Sequence, residues 1–303
     1  GYQALENNTA GNNTAVGSDA LQANTTGAQN TAVGDQALQN STTASGSTAV
    51  GRNALGSVTT ATNCVAVGEN AGDAKSTGDS LVAVGRNALT AATGNNNTAV
   101  GNNAGMNIVG GSDNVSIGHY SQMLHSTANN TMVGSMSGYD TSGDNNTALG
   151  QGTLNGCSGS NNTCLGYSAS TSAGDSSNQF TLGNASVTTL RCADTSISSL
   201  SDRRDKTDIV DLPLGLDFIN SVRPVKFKWQ TRDKTESKDG TIRAGFIAQE
   251  LQEAQKDCDY LDLVHDDNPE KLEAKQSKLI PVLVKAIQEL SAEVEQLKSQ
   301  LNN

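Results

Sequence analysis

Through the first part of the chain the apolar positions come singly and in step. A small aliphatic residue followed by glycine recurs at Gly17, Gly34, Gly51, Gly68, Gly85, Gly101, Gly118, Gly134, Gly150, Gly166 and Gly183, each 16 or 17 residues after the last. The clearest copies read Asn13-Thr14-Ala15-Val16-Gly17, Asn30-Thr31-Ala32-Val33-Gly34 and Asn97-Thr98-Ala99-Val100-Gly101. After the glycine come two polar residues and a small apolar pair, as in Ala20-Leu21, Ala37-Leu38 and Ala88-Leu89. A disordered tract has no reason to hold such a phase. A short fixed period with one aliphatic knob per copy is what a solenoid requires, because each coil buries its small face only against its neighbours. The period is too short for a helix pair and predicts two short strands and two turns per coil. Ala, Val, Ile and Leu are the expected inward knobs, and Gly and Asn supply the turns, where positive φ is cheap for them. Eleven coils stacked at about 4.8 Å predict a rod roughly 50 Å long. So thin a coil buries little apolar area alone, which favours association of several chains.

Past residue 200 the pattern changes. Val225, Phe227 and Trp229 alternate with Lys226, Lys228 and Gln230, which predicts a half-buried strand. A polar loop over 231–240 and a partner strand over Thr241–Ile247 complete a hairpin. A short helix is expected over Ala248–Lys256, with Glu250 and Glu253 outward, and a third strand over Tyr260–His265. His265 stands alone and is expected at the surface. Leu283, Ile287, Leu290, Val294, Leu297 and Leu301 then recur in alternating steps of four and three, a coiled-coil seam that requires partner helices. Pro281 falls near the start of that helix, where its missing N–H costs least. The organisation expected is mainly β. A β-roll solenoid spans 1–187, an extended connector 188–200, a small α+β domain 201–275 and a coiled-coil helix 276–303.

Composition narrows this. Aromatics are only 3% of the 303 residues, and Phe218, Phe227, Trp229, Phe246 and Tyr260 all lie beyond residue 201, so the first two hundred residues cannot rest on a bulky core. The net charge of −11 argues against a nucleic-acid or anionic-membrane partner. No apolar run approaches the roughly 20 residues that span a bilayer, and no secretory h-region is visible. The chain opens at Gly1 in mid-repeat and without Met, and is expected to be a fragment. Cys64, Cys157, Cys164, Cys192 and Cys258 lack CxxC spacing, which favours thiols in a reducing compartment over disulfides or zinc. No metal or other cofactor is expected.

The repeat resembles the β-roll heads of trimeric bacterial adhesins and the similar repeats of phage tail fibres, over about residues 1–187. An ice-binding solenoid would present Thr-x-Thr ladders, but Thr occurs once per copy and Val65, Val82 and Val115 interrupt its column. A calcium-binding roll would repeat Gly-Gly-x-Gly-x-Asp, which is absent. His119, Tyr120 and His125 break the pattern and read as a receptor-contact loop or, in preference, as a local insertion.

Composition breaks at Ser201-Asp202-Arg203-Arg204-Asp205-Lys206. This Ser-Asp-x-Arg-x-Lys motif is followed by Gly215, Leu216, Ile219, Pro224, Val225, Phe227 and Trp229, by Gly245 to Glu250, and by the helix segment Leu279 to Leu290. In that order the motifs resemble the intramolecular chaperone domain of phage tail spikes and fibres, the S74 peptidase family, over residues 201–303. The resemblance implies a homotrimeric domain that folds an elongated β-structured trimer and then removes itself. It makes Ser201 the nucleophile, Lys206 the general base and Leu200–Ser201 the scissile bond, with Asp202 and Arg204 in support. It also implies a virion tail fibre that contacts a host-cell surface receptor, a glycan or outer-membrane component. The chemistry is reasonable, since a serine needs a neighbouring base and a lysine serves once its pKa is lowered. Five residues apart, the pair lies on different faces of a helix or strand, and meets only across a turn or between chains. Arg204 either repels the Lys206 proton or pairs with Asp202 or Asp205. The competing reading is an adhesin or structural fibre that trimerises without cleaving. A glycan depolymerase would need paired carboxylates in a cleft, and the repeat offers only scattered acids.

Overall fold

The computed structural model describes the chain apart from residues 75–78, 194–196, 231–236 and 303. Residues 194–196 of the expected connector and 231–236 of the expected polar loop therefore lie outside the described residues. The chain divides into two units, Gly1–Arg191 and Cys192–Asn303.

The first unit is a β-solenoid. Eleven three-residue strands, from β1 (Thr14–Val16) to β11 (Phe180–Leu182), stack in chain order as one parallel sheet. The register sets repeat on repeat, with Thr14, Ala15 and Val16 opposite Thr31, Ala32 and Val33. Each coil carries one strand rather than the two expected. The opposite side is a run of turns whose amides still donate to the next coil, as Leu21 N–H does to Ala37 O (3.0 Å) and Ala23 N–H to Gln39 O (2.9 Å). It is not a strand because alternate residues are left-handed, Asp19 at φ 56° and Leu21 at φ 53°. A left-handed leucine costs about 1–2 kcal/mol. Full burial of its side chain contributes about 1.5–3 kcal/mol, and Leu21, Leu38, Leu55, Leu89 and Leu154 are all fully buried, so burial wins.

In the strands Val is not an inward knob. With a side-chain period of two, the central Ala of each strand points in and the flanking Thr and Val point out. Ala32, Ala49 and Ala66 are fully buried, whereas Val16 is 57% exposed and Val33 and Val50 are 37% exposed. The result is an apolar column along the outside that continues through Val67, Val100, Ile117, Leu149 and Leu182. Glycine follows each column residue because consecutive corners nearly touch. At Gly85 (φ +130°) a Cβ would lie 2.5 Å from the Gly101 carbonyl oxygen. Buried asparagines form a ladder: the amides of Asn114, Asn130, Asn146 and Asn162 donate to Oδ1 of the preceding Asn97, Asn114, Asn130 and Asn146 at 2.8–3.1 Å.

A buried polar layer separates two apolar clusters of the interior. Ser116 and Gln122 occupy the columns that Ala99 and Leu89 hold in earlier coils, and both are buried. Ser116 Oγ donates to Gln122 Oε1 (2.8 Å), and Gln122 Nε2 donates to Asn114 Oδ1 (2.9 Å) and Thr127 Oγ1 (3.1 Å). One apolar cluster ends at Ile108 before this layer, and another starts at Met132 after it.

The second unit contains α1 (Leu216–Ser221), β12 (Val225–Gln230), β13 (Ser237–Gly245), α2 (Ala248–Ala254), β14 (Val264–His265), β15 (Glu273–Ala274) and α3 (Ile280–Leu301). β12 and β13 form the expected antiparallel hairpin. Val225 and Phe227 are half-buried, but Trp229 is exposed, its ring edge-on to Phe227 at 5.3 Å. The third strand is shorter than expected. Asp259–Leu261 make a 3-10 turn ending in left-handed Asp262, and only Val264–His265 pair with Glu273–Ala274. The core gathers Phe218, Leu251, Leu261, Leu263, Leu279 and Val282. α3 therefore has two faces. Val282 and Ala286 are buried, while the seam from Leu283 to Leu301 is exposed, with Ile287 66% and Leu301 85% accessible.

Candidate functional site

Ser201 to Lys206 fold as a single capped turn. Arg203–Asp205 form one turn of 3-10 helix, closed by Asp205 N–H to Asp202 O and Lys206 N–H to Arg203 O, each 3.2 Å. Asp202 is its N-cap, as a short carboxylate suits, and accepts the Arg204 amide at 2.9 Å. The turn brings the chain back on itself, so that Lys206 Nζ donates to Ser201 Oγ at 2.6 Å. A turn within the chain, one of the two ways the spacing allowed, joins the pair. Both residues are exposed, and Leu200 is 100% accessible.

Arg204 pairs with Asp202. Its Nε and Nη2 donate to Oδ1 and Oδ2 at 3.1 and 2.6 Å. The Arg204 side chain, followed by its amide, holds the Asp202 carboxyl below the usual carboxylate range, and the same bond raises the guanidinium. Asp202 and Arg204 thus brace the turn whose two ends carry Ser201 and Lys206.

Two further residues position the domain, and sequence reading passed over both. α1 has no side-chain cap of its own. Glu289, on α3 and 73 positions away, accepts the Leu216 amide at 2.7 Å instead. Gly215 lies so close to the Glu289 carboxylate that any side chain there would displace it. Nothing local announces Glu289, because the contact depends on α3 packing against α1. Asp262 is the second. Lys275 and Lys278 bind its carboxylate at 2.5 and 3.3 Å, and the Lys275 hydrogen bond foremost lowers its pKa. Among the described residues no group of His, Cys, Asp and Glu is arranged to hold a metal ion, and no helix is long and apolar enough to cross a membrane.

Comparison with curated proteins and with solved structures gave no match. A family model described as the chaperone of endosialidase matches residues 201–260, opening on the serine of this turn. Behind its β-solenoid, the chain therefore carries a chaperone-of-endosialidase domain of the S74 peptidase family.

Proposed function

We propose that this is a phage tail-fibre protein whose C-terminal domain trimerises the solenoid, sets its register and then cuts itself away at Leu200–Ser201. The observation that carries the reading is the 2.6 Å contact between Lys206 Nζ and Ser201 Oγ, at the first residues of the family match. In the reaction Lys206, as the neutral amine, takes the Ser201 hydroxyl proton while Oγ attacks the Leu200 carbonyl carbon. The C–N bond breaks, the proton passes to the departing Ser201 nitrogen, and the resulting ester is hydrolysed by water. A lysine becomes a base when it is desolvated or crowded by other cations. The single chain leaves Lys206 exposed, and a second and third chain packed at the turn would supply that burial. Cleavage would then follow assembly, the order a disposable folding tool needs.

Two exposed apolar surfaces support the homotrimer. Burying the six seam residues of α3 is worth on the order of 10 kcal/mol per chain. The outer Val and Leu column supplies a second contact along the solenoid. Released by the cut, the solenoid up to Leu200 would serve as a rigid shaft or tip that meets the host-cell surface. The competing reading, a fibre that trimerises without cleaving, draws on the exposure of the dyad in the single chain. A denaturing gel decides between them. Wild type should run as two fragments divided at Leu200–Ser201, while Ser201→Ala and Lys206→Met remain full length. A wild-type trimer that stays uncut ends the protease reading and leaves the structural fibre.

A further inference from the structure

We infer that the ring and imidazole cluster on the seventh and eighth coils of the solenoid is a binding site for a neutral saccharide, an inference that rests on the reading of the solenoid as the surface-contacting part. His119, Tyr120 and His125 are not an insertion, since Gly118 and Gly134 stand one ordinary period apart and Val115–Ile117 pairs in register with Thr131–Val133. What changes there is the chemistry of the side chains. In the four preceding coils the column holds Asn53, Asn70, Asn87 and Asn103, joined by side-chain hydrogen bonds of 3.0–3.3 Å. Tyr120 ends this ladder at φ 57°, a left-handed conformation that suits Asn and not a bulky ring.

The rings meet across coils. Tyr120 and Tyr139 stand edge to face at 6.0 Å and 89°, and the His119 ring lies 3.9 Å from Tyr120. Leu124 N–H donates to Tyr139 O, so the next residues along, His125 and Asp140, are neighbours too, with Nε2 and Oδ1 2.6 Å apart. A corner of two aromatic rings beside an accessible imidazole–carboxylate pair suits a pyranose. Its C–H face lies on a ring, and its hydroxyls exchange hydrogen bonds with the pair. Charge selects the class. Between Arg86 and Arg191 the chain has no Lys or Arg, so an anionic sugar would meet Asp140 without a fixed cation nearby. The rigid coil holds the rings in place without a ligand, which keeps the ordering cost of binding low.

The test is an array of neutral hexose oligosaccharides beside sialylated and phosphorylated ones, probed with the full chain. Wild type should bind neutral members. Tyr120→Asn, which restores the residue of the preceding coils, and Tyr139→Gln should each weaken binding about tenfold or more, the loss expected for a stacked aromatic anchor. Tyr167→Ser, on a later coil, should leave it unchanged. No binding to neutral members, binding confined to anionic ones, or binding undiminished in Tyr120→Asn and Tyr139→Gln overturns the site. Gel mobility and sedimentation of the same preparations report cleavage and trimerisation separately, so failure of the fibre reading is told apart from failure of this one.

Discussion

Arg204 lies two residues from Asp202 and two from Lys206, and which of them it serves decides the charge of the turn. It binds Asp202 through both side-chain nitrogens. A carboxylate whose value is depressed in the folded state stabilises that state above its ordinary pKa of about 3.9, and the contribution is lost as pH falls through the depressed value. The Asp202–Arg204 brace should therefore hold at neutral pH and fail only in strong acid. Arg204→Ala should raise the Asp202 titration, followed by carbon NMR, toward the ordinary carboxylate range, the backbone amide still holding it part of the way down. If the titration does not move, the pairing is not made in solution. At this scale the sequence was informative where geometry is local. Five-residue spacing already required a turn or a second chain to join Ser201 and Lys206. It was silent on the left-handed leucines, whose backbone cost is hidden by a burial that only the stacked coil creates.

α3 shows how one helix serves two masters by angle alone. Val282 and Ala286, with Leu279 just before the helix, close the domain's own core, while the seam from Leu283 to Leu301 stays outside it. Ile287→Asp combined with Val294→Asp should therefore convert the proposed trimer to monomer on sedimentation while far-ultraviolet dichroism of the domain is kept. A trimer that survives both charges would place the contact elsewhere. Glu289→Ala should cost about 1–2 kcal/mol in denaturant unfolding, the penalty of an uncapped, partly buried amide, with little effect on the seam. The heptad was legible because a coiled coil is written in one short period. The Glu289 contact was not, since it joins elements 73 residues apart. The third strand was overread because Tyr260 and Leu261 carry strand-like residues into a 3-10 turn.

For the molecule as a whole, regularity is both the means of folding and its hazard. In the proposed trimer, a slip of one coil between chains would put another Thr-Ala-Val against the same partner, since the repeats are alike from coil to coil, so the repeats themselves do little to penalise it. Non-local stacking is also slow to form, whereas a helix makes local contacts and forms fast. That asymmetry is the physical case for a folding domain at the chain end. Produced alone, residues 1–200 should give a heterogeneous or aggregated product, where the full chain gives a uniform trimer by sedimentation. Equal yield of uniform trimer from both would remove the need for the domain. The period made the solenoid legible from sequence. The direction of its Val column was not, because a three-residue strand says only that alternate residues differ in side, and packing decides which side is in.

The buried Ser116–Gln122 layer has a thermal consequence. Stability in a stacked array is approximately a sum of coil terms and neighbour terms, and a polar layer alters one neighbour term where apolar clusters would otherwise be continuous. Melting should therefore proceed in two blocks, with a seam in the hydrogen-exchange profile between Ile108 and Met132. Ser116→Ala together with Gln122→Leu should fuse the blocks into one transition, whereas a profile already uniform in wild type would mean that the hydrogen bonds of the layer couple the coils as firmly as leucine does.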